Sequence, residues 1–221
     1  DTDSIFLHNP DESQIKKISE WTANELEIAL DIDKVYRYVA FSQRKKNYLG
    51  VLSDGKVDIK GLTGKKSHVH IFIKKSFYDT VEILSHVKNT GDFDNAREEI
   101  KKQLREKYLN LKEKKIPLDE LAFNVMMSKS QEEYTETTPQ HVKVAKYMSE
   151  KMHKEVKAGE IISYVKTTSP PGVKPIKLAK IEEIDVEKYM DYLRATFEQI
   201  LDALGYSFDD IMGTIRLEDF F

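Results

Sequence analysis

An α+β fold, an antiparallel sheet portion followed by a mainly helical domain, is predicted by three features of the sequence. Between Lys34 and Lys60 the apolar and aromatic runs YRYVAF, NYLGVL and KVDIKGL follow one another, the last two joined by SDGK, a hairpin turn. From about His70 onward the apolar spacing becomes that of helices, in IFIKKSFYDTVEILSHV and the charged DNAREEIKKQLREKYLNLKEKK. The order is thus sheet first and helices second, in a chain of 221 residues that is 40% hydrophobic and can bury a core.

In chain order, SIFL (residues 4–7) reads as a short strand ended by His8, Asn9 and Pro10. DESQIKKISEWTANELEIAL then places Ile15, Ile18, Leu26 and Ala29 on one helical face, with Asp11 or Ser13 as its cap. After the meander and the two helices, Pro117 stops the second one and PLDELAF begins another element. Thr138 before Pro139 marks a helix with proline at its first position. ISYVK reads as a strand, TTSPPGVKP as an exposed loop, and VEKYMDYLRATFEQILDALG as a long amphipathic helix closed by Gly205.

Composition excludes several classes. Lys plus Arg (35) nearly balance Asp plus Glu (38), so a nucleic-acid surface would have to be a local patch. Without cysteine there are no disulfides or thiolate zinc sites. No run approaches the roughly 20 apolar residues that a membrane span needs. A soluble cytoplasmic protein with no membrane partner is expected.

Four groups of residues can carry chemistry. Asp1 and Asp3 stand two apart, so on a strand both carboxylates face one side and can share a hard cation; a polar strand start is the alternative. Lys45, Lys46, Lys60, Lys65 and Lys66 cluster on the meander with Tyr48 among them. That combination suits phosphate and sugar contacts; a solvated sheet edge is the alternative. His141 has no partner at a ligand spacing, which points to a structural or phosphate-facing ring; His68 and His70 form an H-V-H pair too small for a complete metal site. In TIRLEDFF, helical spacing puts Leu217, Phe220 and Phe221 on one side, either an interaction plug or a tail folded back on its own domain.

These motifs, in this order, resemble family B DNA polymerases, in particular archaeal ones. DTDS resembles the family's third motif, at the tip of a palm hairpin; RKKNYLGV its K-K-x-Y segment; DIKGL with Lys65 and Lys66 the segment that closes the palm. YTETTPQHVKVAKYM, AGEIISYVK and QILDALGYS resemble the thumb, so the likeness covers the whole chain. It implies palm over residues 1–68, thumb over 69–210 and a clamp-binding tail over 211–221. It further implies Mg²⁺ as cofactor, with Asp3 ligating directly and Asp1 shaping the site, and DNA contacts from Lys45, Lys46, Tyr48, Lys60, Lys65, Lys66, Tyr134, His141 and Lys143. The tail resembles the peptide box that binds the sliding clamp PCNA, with Thr214 where glutamine is usual.

Neither the family's D-x-x-S-L-Y-P motif nor its fingers helix occurs in these residues, and the exonuclease carboxylates are missing too. The chain therefore holds half of a metal site. The resemblance implies a component of a template-directed DNA polymerase working by the two-metal mechanism, with primer-template DNA, dNTP and PCNA as partners and a nucleoid-associated location. Of a fragment and the natural small subunit of a split, heterodimeric polymerase that is inactive alone, the split subunit is expected, its catalytic site built across the junction with a larger chain. A non-catalytic DNA-binding and clamp-binding accessory subunit is the alternative.

Overall fold

In the computed structural model, residues 4–43, 45–61, 69–134 and 138–212 are described. Helix α1 (Glu12–Leu26) starts at Asp11, whose carboxylate accepts from the Gln14 N–H at 2.8 Å while the Gln14 side chain accepts from the Asp11 N–H at 3.0 Å. It ends at Leu26, earlier than the apolar spacing suggests, because Glu27 turns left-handed at φ 57°. Strands β1 (Tyr36–Phe41), β2 (Tyr48–Leu52) and β3 (Val57–Lys60) form an antiparallel sheet in that order. The SDGK segment closes the β2–β3 hairpin, with Gly55 at φ 87° and the Leu52 N–H donating to the Lys56 carbonyl at 2.9 Å.

Helices α2 (Ile71–Ser85) and α3 (Thr90–Lys112) follow, the latter capped by Asn89, which accepts from the Asp92 N–H at 3.0 Å. The single turn α4 (Leu118–Leu121) leads into β4 (Phe123–Met126) and then α5 (Gln140–Met152). Strands β5 (Ile161–Lys166) and β6 (Val173–Pro175) complete a second antiparallel sheet, β4-β5-β6. Helix α6 (Val186–Ala203) and the short α7 (Phe208–Met212) close the described chain. One contiguous core joins Phe77, Leu84, Ile100 and Leu104 of α2 and α3 to Leu193, Phe197 and Ile200 of α6, and reaches Leu49 and Val51 of β2. Among the described residues no helix is long and apolar enough to cross a membrane.

Three expectations are corrected. Residues 4–7 are not a strand: they pair with neither edge of the first sheet, and a strand without a ladder leaves its backbone groups unmatched. Pro139 is the cap before α5 rather than its first residue. TTSPPGVKP is not all loop, since Val173–Pro175 pairs with β5 as β6; the cis Pro170–Pro171 bond and Gly172 at φ 81° lie in the turn that returns it.

Candidate nucleic-acid interface

The first sheet has two unlike faces. Tyr38 pairs with Val51 and Ala40 with Leu49, on the face that meets the core; the Tyr38 hydroxyl donates to the Leu84 carbonyl at 2.8 Å. Simple alternation would put Tyr36 there as well. The register slips between Tyr36, opposite Leu52, and Tyr38, opposite Val51, and this bulge turns Tyr36 to the other face.

On that outer face the Tyr36 ring lies over Gly50, where an added Cβ would stand 2.5 Å from its Cδ1 and Cε1 atoms, so any other residue would have to displace that ring. Phe6 packs edge-on to Phe41 and Tyr48 at 4.9 and 5.2 Å between ring centres. The Asp58 Oδ2 atom accepts from the Tyr36 hydroxyl at 2.7 Å and from Lys34 Nζ at 2.9 Å. Hydrogen bonding to Asp58 raises the Lys34 pKa, and burial followed by the bond to Asp58 pushes the Tyr36 hydroxyl up. A lysine thus offsets the carboxylate on this face.

The end of the sheet is positive. Lys45 and Lys46 lie in the β1–β2 turn, Tyr48 opens β2 and Lys60 closes β3; the register pairs Tyr48 with both Phe41 and Lys60, bringing these side chains to one edge. Lys45, Lys46 and Lys60 are exposed and Tyr48 is half-buried. Gly61, at φ 73°, passes this turn so closely that a Cβ would collide with the Asn47 side chain and stand 2.5 Å from the Lys46 carbonyl oxygen. Three ammonium groups and a phenol on an exposed edge suit phosphate and sugar, which carry no base information.

A second group sits at the start of α5. The Tyr134 hydroxyl is 3.0 Å from Ser128 Oγ, and its ring meets His141 edge-on at 5.9 Å. Partial burial lowers the His141 pKa, favouring the neutral ring, which can still hydrogen-bond an anion. Lys143 is exposed two residues on.

The structure therefore gathers Lys45, Lys46, Tyr48 and Lys60 at one place and Tyr134 with His141 at another. Asp1, Asp3, Lys65, Lys66, Thr214, Leu217, Phe220 and Phe221 lie outside the described residues. Among the described residues no group of three or more His, Asp or Glu side chains could hold a metal ion. Of the H-V-H pair, His68 lies outside the described residues and His70 is buried among aromatic rings. Sequence reasoning missed the Lys34–Asp58–Tyr36 network and the role of Gly61. A glycine directly after the Lys60 strand was the available signal for the second.

A profile of DNA polymerase family B matches residues 1–204, and the chain belongs to that family. It is 45% identical over 221 residues to DNA polymerase 1 of Saccharolobus solfataricus and 42% identical over the same length to that of Sulfolobus acidocaldarius. In both cases all of this chain aligns with 25% of the relative, so the chain spans about a quarter of these proteins. The fold is similar to that of the family B DNA polymerase from the hyperthermophilic archaeon Pyrobaculum calidifontis, with a TM-score of 0.58 at 24% identity, over 94% of this chain and 25% of that one.

Proposed function

We propose that the chain is the palm-end and thumb part of a DNA-directed DNA polymerase, with residues 1–68 completing the palm, 69–210 forming the thumb and 211–221 binding a sliding clamp. The observation that carries this reading is the convergence of Lys45, Lys46, Tyr48 and Lys60 on one exposed sheet edge in a chain of this family. These residues, with Lys65 and Lys66, hold the backbone of a primer-template duplex, and Tyr134, His141 and Lys143 add a second contact. In this reading Asp1 and Asp3 hold Mg²⁺; two carboxylates suit a hard cation, which when bound activates the primer 3′-hydroxyl and steadies the leaving pyrophosphate of the dNTP. The protein's own groups bind and orient the duplex.

The larger polymerase partner is supported by an uncovered apolar surface. Of α1 only Thr22 is buried, while Trp21, Leu26, Ile28, Ile32 and Val35 are exposed, an arrangement that suits a face meant to be covered. The remaining three quarters of the polymerase is its occupant in this reading. PCNA is bound by Leu217, Phe220 and Phe221, with Thr214 in the place of the usual glutamine. Removing Phe220 and Phe221 should abolish capture on immobilised PCNA; undiminished capture would refute the clamp assignment.

Duplex binding tests the main proposal. Titrating primer-template DNA at several salt concentrations, replacing Lys45, Lys46 and Lys60 by alanine together should weaken binding at low salt. It should also make the dependence of log K on log salt shallower by about 2 to 3, since each phosphate contact contributes about 0.9. An unchanged slope would remove this edge from the interface.

A further inference from the structure

Lys166, the last residue of β5, is only 7% exposed, although it carries a charge. Its Nζ atom donates to Gln140 Oε1 at 2.8 Å and lies 5.3 and 5.6 Å from the ring centres of Tyr192 and Phe123. Among the described residues no carboxylate forms an ion pair with it. A buried ammonium ordinarily needs a counter-charge; here one amide oxygen and two aromatic faces take that place.

The backbone of Lys166 is fixed as firmly as its head. Its N–H donates to the Tyr189 hydroxyl at 2.9 Å, which in turn donates to the Leu121 carbonyl at 2.9 Å; the Asp185 N–H donates to the Lys166 carbonyl at 3.1 Å. Strand β5, helix α6 and the end of α4 thus hold one rigid cation. His70 closes the chamber, its ring 5.1 Å from those of Phe123 and Tyr189, and burial and the nearby Lys166 charge both keep it neutral.

Gln140 is the opposite case. It is exposed and is the first residue of α5, and Pro139 before it supplies no side-chain cap. The helix start is therefore tied to the second sheet through the lysine. His141 and Lys143 follow within one turn, so the angle at which α5 begins sets where both of them point.

We infer that Lys166 is a positioning residue: through Gln140 it fixes the first turn of α5 and thereby the presentation of His141 and Lys143 to a nucleic-acid backbone. The inference rests on the reading of α5 as a duplex-contacting helix. Lys166 is too enclosed to meet a phosphate itself, so its effect passes through Gln140.

The test is a double-mutant cycle on the full 221-residue chain, with binding to a labelled primer-template duplex read by fluorescence anisotropy and thermal unfolding followed in parallel. Lys166→Met keeps the stem and removes the donor; Gln140→Ala removes the acceptor at an exposed position. Each should weaken binding about 5- to 10-fold, as loss of a charge-assisted hydrogen bond allows, and the double variant should lose no more than the worse single one. Gln140→Ala leaves the Lys166 ammonium without its acceptor and should lower the unfolding temperature by only a few degrees; binding compared well below both transitions separates lost positioning from lost fold even where Lys166→Met is unstable. The inference is overturned if Gln140→Ala binds within twofold of the parent, or if the double variant loses the product of the two effects. Lys143→Ala supplies the control on the underlying reading. If it weakens binding while Gln140→Ala does not, positioning alone fails; if neither does, the duplex-contacting role of α5 fails with it.

Discussion

Residues 4–61 and residues 69–212 solve the burial problem differently. In the second region helix α2 alone buries Phe72, Ile73, Phe77 and Leu84, and α6 buries Tyr189, Leu193, Phe197, Ile200 and Leu201. In the first, the buried apolar residues are Ala40, Leu49 and Val51, while nine of the fifteen large exposed apolar side chains of the described residues lie between Ile5 and Phe41. The two regions have similar apolar content along the chain but not similar use of it. The helical region packs on itself, whereas the N-terminal region offers a half-finished interior. On the proposed reading the other half comes from the rest of a polymerase.

Stability measurements can break this contrast. Phe77 is 1% exposed, and Phe77→Ala should destabilise the chain by about 3–5 kcal/mol in urea unfolding, because a buried ring leaves a cavity. A loss below 1 kcal/mol would mean that the helical core is not the stabilising unit. A smaller, pH-dependent effect comes from His70, whose burial pushes its pKa down to about 3. The unfolded chain takes up a proton on this ring near pH 6.5 that the folded chain refuses until about pH 3. Stability should therefore fall as pH drops below 6.5, by up to about 1.4 kcal/mol per pH unit from this group, and His70→Phe should flatten the curve between pH 6.5 and 5. An equally steep curve for the variant would assign the loss to other groups. Least affected should be Trp21→Ala, at 57% exposure, within about 0.5 kcal/mol in the chain alone. A larger cost would mean that α1 already has a partner within this chain.

Much of the fold was legible where one residue dictates a local geometry. Asp11 was one of the two caps the sequence offered for α1, SDGK marked its hairpin and Gly205 the end of α6, since each acts within a few residues of itself. Apart from the one-residue shift at Pro139, the misreadings came from elements whose fate depends on distant partners. SIFL has the composition of a strand but no strand beside it, and the β6 segment pairs only because the turn after Ser169 returns it to β5. The same division holds at the site. The lysines and Tyr48 could be named from the sequence, yet the bulge that separates Tyr36 from Tyr38 is visible only in the register. The tie between Lys166 and Gln140 spans 26 positions and has no local signature.

On the proposed reading this chain completes a polymerase that neither part makes alone, and reconstituted primer extension tests that most directly. The chain is mixed with a polypeptide supplying the remaining three quarters of a family B polymerase, primer-template DNA, dNTPs and Mg²⁺. Extension is predicted only with both components present, and Asp3→Ala should reduce it to background. Full extension with Asp3→Ala, or with the larger polypeptide alone, would contradict the account.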